Sequence, residues 1–217
     1  MYYINRIELG QKLAGRLIEL KGQEAVVIAL KESALTSCIG LASRINAWVF
    51  PLLSQRIHIP GDPRVMGLID PTGAFTWNPD LEKMERDGIE MESHGVLDDA
   101  KRQAFSMLNR SLSQFGEFSK DALNGRTLLL TGDVVENRLE IAMAIEYLKS
   151  VRYAKLYGLG GNVDANAATY FHLQTDQDIS LDVMTNMFPA EHYFEQSNAY
   201  SPEECRQLAI NISQYWS

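Results

Sequence analysis

Ala25-Val26-Val27-Ile28-Ala29-Leu30 is an unbroken apolar run rich in β-branched residues, and no other feature narrows the possible folds of this chain so far. A strand with one wet face alternates apolar and polar residues. A strand apolar at every position needs cover on both faces, as in a parallel sheet layered between helices. Trp48–Leu53, Arg126–Thr131, Ala154–Leu159 and Ile179–Val183 read as further strands, with Pro51 marking an edge or a strand end. Between them the apolar spacing changes to three and four. Ile7, Leu9, Leu13, Leu17 and Leu20 predict a helix over 5–20 closed by Lys21-Gly22. Ile39, Leu41, Ala42 and Ile45 predict a second, capped at Thr36 or Ser37. Others are expected over 98–114, 137–150 and 163–173, and a last one from Ser201-Pro202-Glu203-Glu204 onward, with proline at its first position. Strands alternating with helices define an α/β class: a mainly parallel sheet flanked by helices.

The chain's 217 residues fit one domain, 1–217. Turn signals at Pro60-Gly61-Asp62-Pro63, Asp70-Pro71-Thr72-Gly73 and Asn78-Pro79 predict a small β-hairpin insertion over 57–79, with strands at 65–69 and 74–77. The charge-dense stretch 82–96 reads as a solvated, mobile excursion. A net charge of -8 argues against a non-specific grip on nucleic acid, which needs a basic face. No apolar run reaches the roughly 18–20 residues of a membrane span, and the N-terminus has no apolar h-region, so a cytoplasmic protein is expected. Cys38 and Cys205 lie in apolar-patterned segments, as reduced thiols do, and Cys38 has no activating base nearby in sequence. His58, His94, His172 and His192 lack ligand spacing, so no metal site is read.

The order of parts resembles the type I phosphoribosyltransferase family. Asn5-Arg6-Ile7-Glu8-Leu9-Gly10-Gln11-Lys12-Leu13-Ala14 is similar to the N-terminal helix of its stand-alone bacterial members. Pro60-Gly61-Asp62-Pro63 with Met66-Gly67 resembles their Pro-Gly-Asn-Pro and Ile-Gly segment. Gly125-Arg126-Thr127-Leu128-Leu129-Leu130 resembles the strand entering the signature loop, and Tyr193-Phe194 with Tyr200-Ser201-Pro202-Glu203-Glu204 the closing aromatic pair and last helix. The resemblance implies a phosphoribosyltransferase-like fold, a homodimer, and a phosphate-containing small molecule as ligand. It also implies Mg²⁺ if the protein is active.

In that family two acids hold the ribose of phosphoribosyl pyrophosphate, and a small-residue loop at a helix N-terminus closes on its 5'-phosphate. Here the aligned residues are Gly132, Asp133, Val134, Val135, Glu136, Asn137 and Arg138. Only the second acid, Asp133, is kept, and Glu136-Asn137-Arg138 replaces Ala-Thr-Gly. A carboxylate about 4 Å from a phosphate oxygen is repelled by roughly 4 kcal/mol at an effective dielectric near 20. Arg138 offsets part of that repulsion if it grips the phosphate bidentately; otherwise Glu136 and Asn137 cap the next helix. The family's second phosphate turn is replaced by Lys31-Glu32-Ser33-Ala34, where Lys31 is either an anion ligand or a solvated lysine. Leu159-Gly160-Gly161-Asn162-Val163-Asp164 reads as a strand-to-helix turn capped by Asn162, or as a binding edge for another sugar phosphate. Tyr193 is a candidate to stack on a base, or else belongs to an aromatic cluster. The expectation is a catalytically impaired phosphoribosyltransferase-like protein acting as a ligand-binding or protein-interaction module. The alternative is an active enzyme with Asp133 on the ribose and Arg138 on the 5'-phosphate, transferring phosphoribosyl to a nucleobase or related acceptor.

Overall fold

A computed structural model describes residues 1–113, 119–196, 200–201 and 203–208. In chain order the elements are α1 (Arg6–Ala14), β1 (Ala25–Ala29), α2 (Leu35–Ile45), β2 (Trp48–Pro51), β3 (Gln55–Ile57), β4 (Gly67–Ile69), β5 (Phe75–Trp77), α3 (Lys83–Leu112), β6 (Thr127–Val135), α4 (Leu139–Leu148), β7 (Lys155–Asp164), α5 (Ala165–Gln174) and β8 (Gln177–Met184). Among the described residues, five strands form one sheet in the order β2-β1-β6-β7-β8, and every pair is parallel. The apolar runs of β1 and β6 are continuous because each of these strands serves two cores. Val27, Ala29 and Leu129 face α1 and α2, while Val26, Ile28, Leu128 and Leu130 pack with Ile141, Met143 and Phe171 from α4 and α5.

Helices α1 and α2 cross at backbone contact. A Cβ on Gly10 would overlap the carbonyl oxygen of Ser37, and one on Gly40 would come within 2.5 Å of the Ile7 carbonyl oxygen. This close crossing brings the start of α1 over the sheet and fixes what Arg6 can reach.

Several expectations shift. The first helix stops at Ala14, and Ile18–Leu20 is a 3-10 turn. Thr36 does not cap α2, which starts at Leu35 with Ala34 before it; its hydroxyl accepts the Tyr200 N–H instead, tying the C-terminal segment to the helix. The stretch 82–96 is the first half of α3, started by a reciprocal cap between Glu82 and Glu85 and kinked at Ser93. Strand β3 joins the expected hairpin to make a three-stranded antiparallel sheet, β3-β4-β5; at three residues it is too short to leave a pattern. The β4–β5 turn is set by Asp70, whose Oδ1 accepts the Thr72 and Ala74 N–H groups at 2.7 and 3.0 Å, with Gly73 at φ 83°. Residues 203–208 are helical as expected, and the expected continuation over 209–217 lies outside the described residues. No helix among the described residues is long and apolar enough to cross a membrane.

The second core carries a pH dependence. Burial, helped by the charge of Asp70, pushes the Tyr147 phenol up to about 12. Tyr147 stays protonated in the folded chain while the unfolded chain ionises near pH 10. Its contribution is therefore fully present below pH 10 and is lost as pH rises through about 12. Burial raises the Tyr3 phenol in the same direction. Urea unfolding is expected to show lower stability at about pH 11.5 than at about pH 9; equal stability at the two would refute this.

Candidate functional site

In a sheet of this order the chain leaves β1 toward β2 on one side and later toward β6 on the other. Ligands of open α/β sheets bind at that reversal, outside the carboxyl ends of the strands. Here the reversal lies between Lys31-Glu32-Ser33, after β1, and the segment from Gly132 to Arg138, so the sequence candidates do converge on the expected place.

The strands there run on farther than the apolar pattern implies. β6 continues to Val135, and Gly132, Val134 and Val135 pair with Gly160, Asn162 and Val163 of β7. The signature-loop positions up to Val135 are therefore buried strand, and Gly160-Gly161 lies inside β7 rather than ending it. Asn162 does not cap α5. It is buried, accepts the Tyr3 hydroxyl at 3.0 Å and donates to the Met1 carbonyl at 2.9 Å. The cap is Asp164, which accepts the Asn166 N–H at 2.8 Å.

Asp133 is 0% exposed, and its carboxylate turns inward. Arg6 Nε donates to Oδ2 at 2.9 Å; Lys31 Nζ stands 3.6 Å from Oδ1, and Ser33 Oγ donates to Oδ1 at 3.4 Å. The Val134 N–H donates to the same Oδ1 at 2.8 Å. Arg6 is itself buried, with its guanidinium 4.4 Å from the centre of the Phe194 ring. Lys31 also donates to the Val134 carbonyl at 2.6 Å, so its ammonium bridges the β1 loop to β6 instead of standing in solvent. A carboxylate this buried needs paired charge and hydrogen bonds, and its surroundings are arranged to supply them.

The remaining loop residues are engaged as well. Asn137 accepts the Leu139 N–H at 2.9 Å and so caps α4. Arg138 Nε donates to Asp80 at 2.7 Å and its Nη2 to the Pro79 carbonyl at 3.1 Å, which points its fork at the loop before α3. Glu136 is exposed. The Val134 and Leu139 N–H groups, which an anion at this turn would need, are both held by side chains of the turn itself. Tyr193 is 1% exposed; its ring packs edge-on against His192, and its hydroxyl accepts the Phe188 N–H at 2.8 Å.

Two clefts flank this plug. One of about 170 Å³ lies between Lys31, Glu32, Ser54, Arg56, Leu108 and Glu140, with Arg56 and Glu140 paired across it at 3.0 Å. The other, more open and about 400 Å³, is lined by Asp80, Glu136, Asn137, Arg138, Asp164 and Asn166. The retained acid of the motif, Asp133, is not placed to hold the metal of a Mg²⁺-bound phosphoribosyl donor. Such a metal is held by one or two exposed carboxylates together with the substrate's phosphates, and Asp133 is buried against a guanidinium. Among the described residues no cluster of three or more His, Cys, Asp or Glu has metal-holding geometry. Both cysteines are buried free thiols, and burial with the nearby Asp133 charge raises Cys38 well above an ordinary thiol.

Sequence reasoning missed Arg6 as a member of this site. It stands 127 residues from Asp133 and reads locally as a helix-start residue.

An α/β chain with a five-stranded parallel sheet and a buried ion pair, Arg6–Asp133, beside its switch point is the class these observations define. No family model and no curated protein matches it. Among solved structures it is similar to TT1426 from Thermus thermophilus, with a TM-score of 0.77 at 16% identity, covering 98% of this chain and 100% of that one. Lower likenesses include a hypothetical protein from Neisseria gonorrhoeae with bound ppGpp (TM-score 0.49, 8% identity, 97% and 94% covered). Another is a hypoxanthine-guanine phosphoribosyltransferase from Bacillus anthracis (0.42, 12% identity, 83% and 79% covered). The likeness to TT1426 establishes a shared fold along the whole chain; at that identity it says nothing of chemistry.

Proposed function

We propose that this chain is a binding protein built on a phosphoribosyltransferase-type frame and that it does not use phosphoribosyl pyrophosphate. The observation that carries this reading is the Arg6–Asp133–Lys31 cluster, which spends the single retained acid of the motif on internal charge pairing. Arg138 is held by Asp80 and Pro79, which speaks against the active alternative. The cleft beside Lys31, at about 170 Å³, is below the roughly 300–1,000 Å³ of pockets that take drug-sized ligands, and the cleft of about 400 Å³ along Glu136 and Arg138 is within that range but lined by three carboxylates, Asp80, Glu136 and Asp164. The single cation of the larger cleft, Arg138, is paired with Asp80, so neither cleft is arranged for a nucleotide's phosphates, and this favours the protein-interaction reading of the module.

Calorimetric titration with phosphoribosyl pyrophosphate and Mg²⁺ is expected to give no saturable heat, and a panel of nucleobases no release of pyrophosphate. Micromolar binding would overturn the proposal. Turnover that disappears in Arg138→Ala would establish the active alternative in its place.

A further inference from the structure

The first half of α3 is a helix whose outer face is uncovered by any of the described residues. From residue 82 to 96 its inward side consists of Ile89, packed on the core, and Arg86, which donates to the Leu81 and Asn78 carbonyls at 2.8 and 3.1 Å. The first buried residue of the helix is Leu97. On the opposite side Met84 and Met91 are 83% and 86% exposed.

Met84, Gly88 and Met91 follow one another at spacings of four and three, which aligns them in a single stripe down the helix, and Gly95 comes four residues later, just beyond the kink at Ser93. Among the described residues no atom lies within 4 Å of where a Cβ would stand at either glycine, so no packing contact there calls for one. Glycine is among the poorest residues for a helix interior, so two of them on an open face are a local conflict of the kind functional surfaces retain. Their effect is to leave two hollows between two flexible, polarizable methionines, the shape that side chains of a second helix fill.

Charge selects the occupant. Asp87, Glu90 and Glu92 beside the stripe have no ion-pair partner among the described residues, and Glu85 pairs with Arg64 at the surface. A second copy of the chain would set Glu92 against Asp87 twice in a parallel pairing. Like charges so placed reject that self-pairing, whereas lysines and arginines flanking an apolar stripe would be drawn in by the unpaired Asp87, Glu90 and Glu92.

We propose that the Met84-Gly88-Met91-Gly95 face of α3 docks a basic amphipathic helix of another protein. This rests on reading the chain as an interaction module, and it names the partner's chemistry. The donor titration above reports on the switch point alone, so the two readings fail separately.

The test uses the full chain and two synthetic helical peptides of roughly 18 residues, five turns, with the same apolar stripe. One carries Lys and Arg on its flanks, the other Glu. The basic peptide is expected to shift the backbone amide resonances of 82–97 and to bind at least tenfold more tightly than the acidic one. Gly88→Gln and Met91→Gln are each expected to weaken that binding at least tenfold with unchanged helical circular dichroism. Because the site at Gly88 is open, Gly88→Gln should also raise the melting temperature by about 2 °C. Binding by neither peptide, equal binding by both, indifference to the two substitutions, or shifts centred elsewhere would overturn the proposal. So would a concentration-dependent dimer in sedimentation that the same substitutions abolish, because the occupant would then be a second copy.

Discussion

Arg6→Ala is expected to destabilise the protein by about 3–5 kcal/mol in urea unfolding, the range for removing one member of a buried ion pair. Asp133 is 0% exposed and receives the Arg6 guanidinium at 2.9 Å. Without it the one cation left to the carboxylate is the Lys31 ammonium at 3.6 Å, and Lys31 is itself partly wet. Domains hold together by roughly 5–15 kcal/mol, so this one change removes a large share of the total. Arg6→Lys should fall between, because an ammonium keeps the charge but loses the planar fork and the stacking on Phe194. Replacing both partners, Arg6→Met with Asp133→Leu, should recover much of the loss, since apolar pairs often substitute for buried ion pairs without penalty. A loss below about 1 kcal/mol for Arg6→Ala would mean that Asp133 is not locked internally, and it would reopen the carboxylate as a ligand group.

Gly10→Val is expected to cost about 3 kcal/mol or more, read as a lower urea midpoint with an unchanged slope. The obstacle is backbone: the Ser37 carbonyl, and the Leu41 nitrogen at 2.7 Å from the position a Cβ would take. A flexible side chain turns aside, but a helix backbone does not, so α1 must move off α2. That movement also draws Arg6 away from Asp133, which couples the two predictions. Gly10→Val and Arg6→Ala together should therefore cost less than the sum of the two alone. A tolerated valine would show that the helices separate freely and that α1 does not fix the position of Arg6.

Much of the fold was legible beforehand. Residues 25–30, 48–53 and 126–131 record in their apolar runs that both sheet faces are covered, residues 179–183 alternate as suits the half-exposed β8, and the structure places a strand at each of these and at 154–159. Strand ends were not legible. Whether residues 132–135 leave the sheet depends on β7 offering paired backbone from Gly160 to Val163, and nothing inside the segment states that. The stretch 82–96 misled for a related reason. Its charges and glycines give no apolar stripe facing the protein, yet it is continuous with a second half anchored by Leu97, Ala104 and Leu108.

At the site, Lys31 and the segment from Gly132 to Arg138 were named in advance, Arg6 was not, and their partners were not legible. Lys31, Asn137 and Arg138 carry groups able to donate to a phosphate ester and Asp133 one able to accept from a ribose, and each has found a partner within the chain. The sequence determined the layers, because hydrophobic periodicity is a local record of which faces are dry. Only the tertiary structure decided what the retained acid does. Arg6 reaches Asp133 across 127 residues through the α1–α2 crossing, and a charge pairing made at such separation leaves no trace in the pattern around either partner.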